Sequence, residues 1–66
     1  MWNHRVVKTG RHYGIHEAFY HEGDKFPHSI TEDAMQPCGE TVQELREDLE
    51  RMLNALDEPV LKDEDF

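Results

Sequence analysis

Five histidines fall between His4 and His28 of this 66-residue chain, and imidazoles at that density invite a metal site or acid–base chemistry. The most suggestive fragment is His16-Glu17-Ala18-Phe19-Tyr20-His21. Two histidines flanking a glutamate bind zinc when they stand four apart on one helix face, because both ring nitrogens then reach one ion. Here the position four after His16 is Tyr20, and on a strand His16 and His21 point to opposite faces. His12 and His16 keep the four-residue spacing, but along a strand it spans about 13 Å, too far for one tetrahedral centre. No metal and no cofactor is expected.

His4 and Glu17 face each other if Gly10-Arg11 is a two-residue turn between two strands. A buried imidazole beside a carboxylate is pH-sensitive and, at an open cleft, forms an acid–base couple. A small metal-dependent or acid–base enzyme using His4, Glu17 and His28 is thus the alternative function. The reading preferred is a structural polar pair at the sheet margin, and no enzyme is expected. Cys38 has no Lys or Arg near it in sequence to activate the thiol, and His28 is its nearest base, so it reads as a loop residue. Gly10-Arg11-His12-Tyr13-Gly14 lacks the Lys-Ser/Thr ending of a phosphate loop. Trp2, Tyr13, Phe19 and Tyr20 lack the surrounding basic charge of a base-stacking platform and read as core or subunit interface.

The elements that position these residues follow from a change of period. Trp2 to Thr9 alternates weakly, Gly10-Arg11 makes a two-residue turn, and Tyr13, Ile15, Glu17 and Phe19 form one side of a second strand. A two-residue turn sets Val6 against Ile15, Trp2 against Phe19, Lys8 against Tyr13 and His4 against Glu17. His21 to Lys25 reads as a second hairpin loop and Phe26 to Thr31 as a third strand, placed at an edge by Pro27. Glu32 to Gly39 has no period. From Thr41 to Leu56 the chain is an amphipathic helix, opened by a Thr41/Glu44 capping box and stopped by Pro59. Its apolar stripe of Val42, Leu45, Leu49, Met52, Leu53 and Leu56 is expected to cover the sheet. The fold class predicted is α+β: a three-stranded antiparallel meander, with a short fourth strand at Val60-Leu61 or a subunit contact there, and one helix on one face. Residues 1–61 form the single domain and 62–66 an acidic, mobile tail. The opposite sheet face, with Arg5, Val7, Gly14, His16, Ala18 and Tyr20, suits a contact surface, and strands 1 and 3 are candidate edges for pairing across a twofold axis.

A chain this short buries only about 60% of its unfolded surface, so burial between subunits is the expected supplement, and a homodimer the expected form. A single cysteine excludes an intrachain disulfide. Fifteen acids against seven bases give a formal charge of −8, which disfavours nucleic acid and suits a basic partner. No apolar run is long enough to span a membrane, and Met1-Trp2-Asn3-His4-Arg5 lacks the apolar region of a signal peptide, so a cytoplasmic protein is expected.

Three meandering strands, an irregular loop and then Gly39-Glu40-Thr41-Val42-Gln43-Glu44-Leu45-Arg46-Glu47-Asp48-Leu49 resemble the N-terminal domain of HicB-type antitoxins, a strand-strand-strand-helix core described as a partial ribonuclease H-like fold. The resemblance spans most of residues 2 to 56 and implies a small stand-alone bacterial protein of that kind. Where the family has Asp-Leu-Pro-Gly-Cys before the helix, this chain has Gln36-Pro37-Cys38-Gly39. No C-terminal helix-turn-helix or ribbon-helix-helix follows, so DNA autoregulation is not implied. The function expected is an acidic, oligomeric protein-interaction module that masks a small basic protein. Glu44, Glu47, Asp48, Asp63, Glu64 and Asp65 would steer the encounter, and Val7 and Tyr20 would anchor it.

Overall fold

The computed structural model describes residues Met1–Phe66. Strands β1 (Trp2–Thr9) and β2 (His12–Phe19) form an antiparallel hairpin. Gly10 carries φ +60° while Arg11 has no positive φ, the arrangement of a turn that takes Gly first and matches the strand twist. Trp2 lies opposite Phe19, His4 opposite Glu17, Val6 opposite Ile15 and Lys8 opposite Tyr13, the register that the alternation predicts. After the loop, where the Asp24 N–H donates to the His21 carbonyl at 3.0 Å, β3 is only Ser29–Ile30. It pairs antiparallel with β2 at the sheet edge. The chain keeps bonding to β2 beyond it, with the Thr31 N–H on the Glu17 carbonyl at 2.9 Å and the Met35 N–H on the Ile15 carbonyl at 2.8 Å.

Helix α1 spans Val42–Asn54 and runs into a 3-10 turn at Ala55–Asp57. Thr41 is its N-cap, with Oγ1 accepting the Glu44 N–H at 3.1 Å. The return bond is shifted by one residue from a standard capping box: the Glu44 carboxylate accepts the N–H of Glu40, at 3.0 Å. Gly39 is required by space, since a Cβ there would lie 2.5 Å from the Leu45 nitrogen.

The three-stranded antiparallel meander is incomplete. A fourth strand, β4 (Leu61–Lys62), pairs parallel with β1, Val7 opposite Leu61, and the sheet is a mixed one of order β3-β2-β1-β4. α1 therefore carries the chain from one edge of the sheet to the other, and β1 is interior. The crossing is fastened by Arg5, whose Nη2 donates to the Pro59 carbonyl at 2.7 Å and Nη1 to the Tyr20 hydroxyl at 2.9 Å. Past β4, Asp63–Asp65 form a 3-10 turn and the Phe66 ring stacks on Phe26 at 5.6 Å. No helix is long and apolar enough to cross a membrane.

One face of the sheet lies under the helix as expected, and the other departs from its expected role. The face of Arg5, Val7, Ala18 and Tyr20 is no contact surface: Val7, Ala18, Tyr20 and Leu61 form the buried cluster, flanked by Ile30. β4 sets Leu61 beside Val7, and Arg5 and Tyr20 bond to each other on that face. On the other face α1 packs by Met52 and the 3-10 turn after it by Ala55, both buried, with Asp48 close to His4. Of the predicted apolar stripe only Met52 is buried; Val42, Leu49, Leu53 and Leu56 are exposed and Leu45 is half-buried. At about 100° per residue, the stripe is rotated by roughly a quarter of a turn from the side that meets the sheet.

Candidate interaction surface

The carboxylates divide into those the fold uses and those it leaves free. Asp48 accepts the Cys38 N–H at 3.0 Å and an Arg51 Nη2 bond at 3.3 Å, which ties the loop before the helix to the helix itself. The Cys38 hydrogen bond holds its carboxyl below the ordinary value of 3.8, opposed by partial desolvation and helped by the charges of Arg51 and His4. Glu44 is likewise engaged at the helix start. Glu47 is exposed and meets only the Gln43 amide, at 3.3 Å. Asp63, Glu64 and Asp65 are exposed together on the turn that follows β4. Arg51–Asp48 is the one ion pair in the molecule, so fourteen of its fifteen acids have no internal counter-charge.

Val7 and Tyr20 do not supply the apolar part of a binding surface, because they are 0% and 7% exposed. That part lies on α1. Val42 is 79% exposed, Leu53 63%, Leu56 62% and Leu49 48%. These side chains line two adjoining shallow grooves, one along the outside of the helix with Arg46 and Glu50, the other between the helix and the Tyr13, Met35 and Pro37 side of the sheet. The sequence signal for them is the amphipathic stripe itself. Its phase relative to the sheet is not contained in the periodicity.

The histidines do not converge. His4 is buried and sits opposite Glu17, yet no hydrogen bond or ion pair joins the two side chains. His28 instead stacks on His21, centroids 3.9 Å apart and planes within 14°, so the two rings present faces rather than nitrogens to each other. His16 is buried and donates from Nδ1 to the Thr31 carbonyl at 2.9 Å. No group of three His, Cys, Asp or Glu side chains is arranged to hold a metal ion. Cys38 is exposed, and no imidazole bonds to it. Among the eight residues expected to bind a partner, Glu47, Asp63, Glu64 and Asp65 present free charge at the surface, Glu44 and Asp48 hold the helix start, and Val7 and Tyr20 form core. No family model, curated protein or solved structure matches this chain.

Proposed function

We propose that this chain is an acidic protein-interaction module, antitoxin-like in the sense of its resemblance to HicB-type domains, whose partner is a small basic protein. The observation that carries the reading is the excess of carboxylates without internal partners: a formal charge of −8 with a single ion pair inside the fold. Such a surface raises the local concentration of a cationic partner and accelerates its capture. Asp63, Glu64 and Asp65, adjacent on one turn beside the β1–β4 edge, form its densest segment, and Glu47 extends the acidic character to the helix. The residues on which the resemblance rests shape the helix start. Gly39, Thr41 and Glu44 each have a physical task there, one by the space it leaves and two by the bonds they make.

The test is recovery of the untagged protein from its own cells, with bound proteins identified and the complex challenged with salt. The reading predicts a basic protein that dissociates as ionic strength rises towards about 0.5 M, where charges are screened within a few ångströms. Replacing Asp63, Glu64 and Asp65 together by Lys is expected to abolish its retention while leaving the fold intact. A companion that is not basic, or whose retention ignores both salt and the triple replacement, contradicts the reading.

A further inference from the structure

We infer that the exposed flank of α1 is the interface between two copies of this chain, with the helices antiparallel across a twofold axis that passes beside Leu49. Three observations identify a second copy as the occupant. The first is the spacing of the flank. Val42, Leu45, Leu49, Leu53 and Leu56 are arranged symmetrically about Leu49: in an antiparallel pair Val42 meets Leu56, Leu45 meets Leu53, and Leu49 meets itself. A twofold interface requires one surface to be complementary to itself, and a stripe that reads alike from either end meets that requirement. A stripe covered by an unrelated partner is under no such constraint.

The second is charge. Arg46 and Glu50 line the same groove as Val42, Leu45, Leu49 and Leu53, and although they stand four apart on the helix they do not pair with each other. Both lie on the solvent side of the stripe. Under the twofold, Arg46 of one copy comes within about 3 Å, along the axis direction, of Glu50 of the other, given a rise of about 1.5 Å per residue. The interface thus gains two equivalent ion pairs. A parallel pair sets this flank against the opposite flank of its partner, so Arg46 and Glu50 would gain no counter-charge from each other, and these charges favour the antiparallel orientation.

The third is the deficit in the fold. Only 11 of 66 residues are buried, and α1 with the turn after it gives the sheet only Met52, Ala55 and part of Asp48. A domain of this size is marginal on its own, and further apolar burial adds directly to its stability. Covering the flank supplies it with residues the chain already carries.

This inference does not rest on the proposed function, and salt separates the two. Each copy carries −8, so self-association strengthens as salt screens the repulsion between copies, whereas capture of a basic partner weakens. The experiment is sedimentation equilibrium and native mass spectrometry of the purified, untagged chain from 0.05 to 0.5 M salt, with circular dichroism on every variant. The wild type is expected at twice the 7.8 kDa chain mass, more so at the higher salt. Leu49→Glu puts two carboxylates against each other on the axis and should weaken association about thirtyfold or more with the helical signal retained. Arg46→Glu should weaken it, and Arg46→Glu with Glu50→Arg should restore it; this exchange reads the interface even where Leu49→Glu lowers stability. A chain that stays monomeric at 100 μM, or a dimer indifferent to both Leu49→Glu and the charge exchange, overturns the inference.

Discussion

Two regions of this molecule trade places between pattern and fold. One sheet face, carrying Arg5, His16, Val7 and Ala18, is polar enough to pass for a surface and is the most deeply buried part of the chain. The flank of α1, with the cleanest hydrophobic periodicity, is the most exposed. The difference lies in what buries each. Val7 and Ala18 are enclosed by neighbours on strands, including Leu61 from the far end of the chain, and the guanidinium of Arg5 is accommodated because the Tyr20 hydroxyl and the Pro59 carbonyl accept from it. The helix has a sheet on one side only, and it meets that sheet with Asp48, Met52 and Ala55. Hydrophobic periodicity shows that a face is to be covered; it does not say by what.

The comparison can be broken most severely by a pair of substitutions. Val7→Asp places an unpaired charge where the side chain is fully enclosed and is expected to abolish folding, at a cost of several kcal/mol. Leu53→Gln, on a side chain 63% exposed, should alter the stability of the dilute, monomeric chain by no more than about 0.5 kcal/mol. Urea unfolding of both checks the contrast, and equal losses would erase it. A smaller effect concerns the start of the helix. Thr41→Ala removes the acceptor of the Glu44 N–H and should cost about 1 kcal/mol by the same measurement.

Acid titration gives the smallest effect. The folded state holds the Asp48 carboxyl below 3.8 through the Cys38 N–H, with Arg51 and His4 assisting, so its contribution to stability is complete above that value. It is lost as pH falls from there through the lowered value of the folded chain. Asp48→Asn should flatten this acid limb and leave the neutral region nearly parallel to wild type. An unchanged limb would mean that the tie between the Cys38 loop and α1 does not act in solution.

What the sequence discloses is what is local. Alternation in Trp2–Thr9 and His12–Phe19, joined by Gly10-Arg11, leaves one register in which apolar residues meet, and that register is present. Thr41 and Glu44 mark the helix start within one residue because their bonds are made inside a single turn. A short fourth strand at Val60-Leu61 is legible, but its parallel pairing with β1 is hidden, because two residues carry no period of their own and the partner lies more than fifty positions earlier. The angular setting of α1 is hidden for the same reason, being fixed by distant fastenings: Arg5 on Pro59, Asp48 on Cys38, and the close approach of Gly39 to Leu45. The acidic excess of the chain is legible in composition alone. Which carboxylates remain free, Glu47 and the Asp63–Asp65 turn, becomes visible only once Glu44 and Asp48 are seen to be engaged.

In the proposed dimer the flank of α1 completes the core of this domain by meeting a second copy. The most direct measurement is the urea midpoint of the wild-type chain against protein concentration, over a hundredfold range and at 0.5 M salt. Association linked to folding predicts a midpoint that climbs steadily with concentration, by about 1.4 kcal/mol of apparent stability per tenfold, and a Leu49→Glu chain whose midpoint does not move. A wild-type midpoint independent of concentration would contradict the claim.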